Sequence, residues 1–169
     1  LAAPIVAANV GPALLFRQLV DASELDADFR RRIAAYKTGS GTFRMNVALS
    51  ELPDFTSKPG TQPQDHHASG IMIAPTLAYM EDAYTDARTH GWARNPVIEM
   101  LIPSTLDETL APKGQHVASL FVQYVAPQLP EGRHWKNPVE REAFGDLVID
   151  TVTKHAPNFK SAVIGRQLL

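Results

Sequence analysis

The sequence predicts an α+β fold, with a mixed, largely antiparallel sheet and helices packed on one of its faces. Three observations lead there. Pairs of strand-like segments are separated by single helical ones, an order that builds one sheet and lays helices across it. Residues 42–49 alternate, with Phe43, Met45, Val47 and Leu49 between Thr42, Arg44, Asn46 and Ala48, so one face meets a core and the other carries a cation and an amide. Residues 116–124 are apolar on both sides, as a strand inside a sheet is.

The elements follow in order. Residues 4–9 read as a short apolar strand, and Gly11-Pro12 starts a helix whose Leu15, Leu19 and Val20 form its buried stripe. A second helix spans residues 26–36, with Phe29, Ile33 and Tyr36 inward and Arg30, Arg31 and Arg32 on a solvated side; Gly39 and Gly41 end it. After the strand at 42–49, residues 53–69 are rich in Pro, Gly, Thr, Gln, Asp and His, the composition of a long irregular loop. Residues 70–73 form a strand. Pro75 then opens a helix that runs to Gly91, with Leu77, Met80, Ala83, Tyr84 and Ala87 at helical spacing. A strand at 97–102, interrupted only by Glu99, leads through a turn-rich stretch at 103–114, where Asp107-Glu108 are turn residues, into the strand at 116–124. Asn137-Pro138-Val139-Glu140 is a capping box. The helix behind it buries Phe144, Leu147, Val148, Thr151 and Val152 and stops at Pro157, and residues 163–169 make a last strand.

Composition narrows the function classes. The chain has 169 residues, 44% hydrophobic, a formal charge of -2 and no cysteine. That balance, with no Lys/Arg run that supplies a phosphate-neutralising patch, argues against a nucleic-acid partner. Without cysteine there is no disulfide, thiolate nucleophile or Cys-ligated metal. No apolar stretch reaches the roughly 20 residues of a transmembrane segment, and no signal peptide is recognisable. The sequence begins with Leu1 and is apolar at both ends, which reads as a piece cut from a longer protein.

Candidate chemistry is sparse. G-x-S-x-G, G-x-G-x-x-G and P-loop motifs are absent; Thr38-Gly39-Ser40-Gly41-Thr42 has the wrong spacing for a serine nucleophile. His66-His67 follows Asp65, but adjacent residues of an extended segment point to opposite sides, so no metal site is expected and the pair reads as loop histidines. Arg44 and Asn46 share a strand face, roughly 7 Å apart. They either meet solvent or orient a polar group in a cavity, and Glu99 carries the same ambiguity.

A family resemblance sharpens this. Phe43-Arg44-Met45-Asn46-Val47-Ala48-Leu49 with Leu52-Pro53-Asp54-Phe55, then Phe121-Val122-Gln123-Tyr124, Ala156-Pro157-Asn158-Phe159 and Gly165-Arg166, resemble phytoene dehydrogenase-like flavoproteins. The most specific element is the run from Pro103-Ser104 through Asp107, Leu110-Ala111-Pro112 and Gly114 to His116. Within that family the chain looks most like the branch called pyridine nucleotide-disulfide oxidoreductase domain-containing protein 2. The resemblance covers essentially the whole chain and implies the substrate-binding or cap region of an FAD-dependent oxidoreductase, of the architecture shared with amine oxidases. Residues 1–169 would form that single domain, with 1–20 and 160–169 connecting to an FAD-binding domain of the same protein.

Further expectations follow from the resemblance. FAD would be held by the full-length parent and not by this chain, which lacks the glycine-rich fingerprint and is expected to be inactive alone. A small, largely apolar substrate would be oxidised by hydride transfer to the flavin. Arg44 and Asn46 would line its cavity, with His66, His67 and His116 as rim candidates. The expected compartment is the cytoplasm, or the mitochondrial matrix in a eukaryote. An uncovered apolar surface implies either a dimer of the isolated chain or a mobile N-terminal segment. Two other readings stay open: a non-catalytic binding or protein-interaction module on the same scaffold, and a self-contained small-molecule binder.

Overall fold

The computed structural model describes residues 3–38 and 41–169, and the chain divides into two compact units, Leu1–Gly39 and Ser40–Leu169.

In the first unit, α1 (Pro12–Leu14) widens into a π-helical turn at Leu15–Leu19, and α2 (Ala27–Ala34) follows. Asp26 caps α2 by accepting from the Phe29 N–H at 2.8 Å. Phe16 meets Phe29 edge to face at 4.9 Å between centroids. The Arg17 guanidinium donates to the carbonyls of Ile33 and Ala34 at 3.1 and 3.0 Å, supplying partners that the end of α2 lacks. Three expectations are corrected here. Residues 4–9 form no strand, because no neighbouring strand among the described residues takes up their backbone groups. The π-helical turn rotates the predicted stripe, leaving Leu19 exposed. Finally, α2 ends at Ala34, so Tyr36 is exposed; Gly39, the predicted stop, lies outside the described residues.

The second unit holds β1 (Gly41–Leu49), β2 (Ile71–Ile73), α3 (Leu77–His90), β3 (Ile98–Leu101), β4 (His116–Val125), α4 (Pro138–Thr153), α5 (Phe159–Ala162) and β5 (Val163–Leu168). The strands form one sheet in the order β2-β3-β4-β1-β5. All four pairings are antiparallel. The fold is therefore α+β as predicted, with β4 in the middle. Met45 of β1 lies opposite Leu120 of β4, which lies opposite Met100 of β3. This row belongs to the apolar face, on which α4 lays Phe144, Val148, Ile149 and Val152, and α5 adds Phe159 and Ala162. Phe144 is fully enclosed, with Phe43 at 4.9 Å and Trp92 at 5.3 Å between ring centroids. A smaller cluster gathers Ala83, Ala93 and Val97, with Tyr79, Met80 and Tyr124 packed on it.

Local signals set the helix ends. Thr76 accepts from the Tyr79 N–H at 3.0 Å to start α3, and Gly91 ends it in the left-handed region at φ 94°. Asn137 caps α4 by accepting from the Val139 N–H at 3.0 Å. The predicted capping box is incomplete. The Asn137 N–H donates to the His134 carbonyl at 3.0 Å, and the Glu140 carboxylate turns to Arg133 at 3.5 Å. Among the described residues no helix is long and apolar enough to cross a membrane.

Candidate functional site

The face of the sheet turned away from α4 and α5 is built by register. One row runs Met72, Glu99, Phe121, Arg44; the next runs Leu101, Ser119, Asn46, Gln167. Val117 and Ala48 begin a third. Successive rows lie roughly 7 Å apart along the strands. Met72 and Leu101 are exposed, and Phe121 is half-buried. Two bonded polar pairs cross this apolar ground, while the side chains of Asn46 and Gln167 bond to no other side chain among the described residues. Arg44 Nε and Nη2 donate to Ser119 Oγ at 3.2 and 3.1 Å. Gln123 Nε2 donates to the Glu99 carboxylate at 3.3 Å. Arg44 thus keeps guanidinium N–H groups for a further acceptor.

The histidines lie elsewhere. His116 faces Leu49 across the β1–β4 ladder and so belongs to the side covered by helices. Ser104 Oγ accepts from the Val117 N–H at 3.1 Å and lies 3.3 Å from His116 Nδ1, within hydrogen-bond reach. Burial, and next the neighbouring His67, hold His116 below its ordinary value of 6.5. His67 is fully buried, and both ring nitrogens are used: Nδ1 accepts from the Gln64 N–H at 3.3 Å and Nε2 donates to the Pro53 carbonyl at 2.9 Å. The Thr105 hydroxyl lies between the carbonyls of Ile102 and His67, at 2.7 and 3.2 Å.

His66 stacks on His67, with ring centroids 3.9 Å apart. The expectation of opposed side chains fails because the segment is turned. Ala68 N–H and Ser69 Oγ both donate back to the Asp65 carbonyl, at 3.2 and 2.8 Å, and a turn does not alternate as a strand does. No three His, Asp or Glu side chains among the described residues are placed to hold a metal ion.

The structure therefore brings Arg44 and Asn46 together on one face and the three histidines together on the other side of the sheet. Sequence reasoning did not single out Ser119, Gln123 or Ser104. Alternation in β4, with Ser119 and Gln123 two and six residues after Val117, was the available signal.

An antiparallel sheet with helices on one side and a mixed polar and apolar face on the other defines an α+β module able to cover a ligand or another domain. Comparison with known proteins adds a lineage. The chain is 37% identical to mouse "Pyridine nucleotide-disulfide oxidoreductase domain-containing protein 2" over 169 aligned residues, covering 98% of this chain and 29% of the mouse protein. The rat protein of the same name is 36% identical with the same coverage. The chain thus spans 29% of the length of these curated relatives and is homologous to one segment of them. No protein-family model matches it.

Proposed function

We propose that this chain is the substrate-binding region of a phytoene dehydrogenase-like, FAD-dependent oxidoreductase, and that the sheet face carrying Arg44 and Asn46 covers the substrate. The observation that carries this reading is the pairing of Arg44 with Ser119 and of Glu99 with Gln123 across that face. A face made only for solvent needs no apolar Met72, Leu101 and Phe121 beside Arg44 and Glu99, whereas a covered face needs its polar groups satisfied. The names of these relatives support oxidoreductase chemistry.

This chain does not fit the flavin itself, since it has no glycine-rich strand-turn-helix to cradle a pyrophosphate. FAD belongs to the remainder of the parent protein, where it would accept a hydride from the substrate. The part played here is binding. Phe121, Val117 and Leu101 exclude water and rest against an apolar body, and the free N–H groups of Arg44 fix the position of one acceptor atom. The compartment we propose is the cytoplasm, or the mitochondrial matrix of a eukaryote.

The test is to express the full-length protein, identify its bound flavin by absorbance, and find compounds that bleach it anaerobically. Arg44→Met should then lower the second-order rate of flavin reduction by about 10–100-fold, the value of a charge-assisted hydrogen bond, with flavin content unchanged. A full-length protein without flavin sinks the oxidoreductase reading. A flavoprotein whose reduction is indifferent to Arg44→Met sinks the assignment of this face.

A further inference from the structure

A pocket of about 470 Å³ runs beside β2, the marginal strand of the sheet, which pairs only with β3. Sites for small organic molecules occupy roughly 300–1,000 Å³. Its floor is apolar and deep, formed by Phe55 and Ile73 at 5% and 4% exposure. Its polar lining comes from Ser57, Lys58, His66 and His155, and no carboxylate among the described residues lines it.

His66 supplies the deciding observation. Both of its ring nitrogens are shut off from water and meet no partner. In native proteins nearly every buried polar atom is paired, and an unpaired one calls for an explanation. The contrast with His67 is direct, because both of that ring's nitrogens are used. Burial, then His67 and Lys58 beside it, hold His66 below its ordinary value of 6.5, with Asp65 acting in the opposite sense. Near neutral pH the ring therefore carries one N–H donor and one acceptor. The ring torsion of a histidine is broad, and binding here requires a turn about the Cβ–Cγ bond that brings a ring nitrogen to the pocket.

We propose that this pocket binds a small organic carboxylate, its apolar body on Phe55 and Ile73 and its carboxylate held by the Lys58 ammonium and a ring N–H of His66. The site is separate from the Arg44 face and goes beyond the function proposed for it. An uncharged apolar molecule would leave Lys58 and His66 unused. An inorganic anion would leave the apolar floor empty.

Titration calorimetry on the full-length protein with octanoate, octanol and inorganic phosphate tests the assignment. Octanoate should bind about 10-fold or more tightly than octanol, and phosphate should not compete. Lys58→Met and His66→Phe should each weaken octanoate about 10-fold and leave octanol unchanged. His66→Phe keeps the ring that packs on Phe55 and His67 and removes only the unpartnered nitrogens, so the variant should fold; its unfolding midpoint is the control. Equal binding of octanoate and octanol, no binding of octanoate, displacement by phosphate, or octanoate affinity unmoved by both variants would each overturn the proposal.

Discussion

Arg44 and Met45 are neighbours in β1 on opposite faces, and their alanine variants should differ in kind. Met45 is fully buried in the main core, opposite Leu120. Truncating such a side chain removes its transfer energy and leaves a cavity, about 2–5 kcal/mol together. For a chain of this size each kcal/mol moves the melting point by roughly 2–4 °C, so Met45→Ala should melt about 5–15 °C lower. Arg44 is exposed and donates two hydrogen bonds to Ser119. Exposed neutral-acceptor bonds lie at the low end of the usual range, so Arg44→Ala should lose about 1 kcal/mol or less. Urea unfolding of the 169-residue chain measures both. Tryptophan fluorescence reports on the right place, since Trp92 and Trp135 flank Phe144 at 5.3 and 5.8 Å. A loss on Arg44→Ala equal to that on Met45→Ala would refute the assignment of the two faces.

Three other outcomes follow from buried polar groups and backbone geometry. His67→Leu strands the Gln64 N–H and the Pro53 carbonyl and should cost about 2–5 kcal/mol in urea unfolding; a loss under 1 kcal/mol would contradict that pairing. His66 and His116 are both held below 6.5 when folded, so the unfolded chain binds protons first. Their contribution is present above pH 6.5 and is lost as pH falls through the folded values; urea midpoints between pH 8 and pH 5 should decline, and a rise on acidification contradicts the sign. Gly91→Ala places a Cβ 2.7 Å from Leu129 Cδ2 at a φ of +94°. It should destabilise by about 1–3 kcal/mol, read from the thermal midpoint; an unchanged midpoint would mean that the end of α3 relaxes freely.

Much of the second unit was legible because burial is binary there. In β1 every second residue is apolar, and the four predicted inward residues, Phe43, Met45, Val47 and Leu49, are the buried ones. Asn137 and Pro138 announced the start of α4 through the chemistry of a helix N-terminus. What failed depended on partners the sequence does not name. An apolar run such as residues 4–9 becomes a strand only when another strand takes up its hydrogen bonds. Glu140 satisfies the pattern of a capping box, yet Arg133 offers it a cation and the His134 carbonyl has already taken the Asn137 N–H. The histidine pair was misjudged for a related reason, because side-chain direction follows backbone conformation and a turn put both rings on one side.

The candidate site was half legible for the same physical reason. Arg44 and Asn46 stood out because β1 is apolar between them, whereas β4 is apolar enough on both sides to hide Ser119 and Gln123. Yet those two residues decide what the face can do. Covering an apolar surface removes water from every polar group on it, and each group left unpaired costs about 1–3 kcal/mol. Ser119 and Gln123 meet much of that cost beforehand by bonding Arg44 and Glu99 within the sheet. What is left for a covering molecule or domain to satisfy is the Asn46 amide and the guanidinium N–H groups still free on Arg44, and a polar group on that partner gains most there.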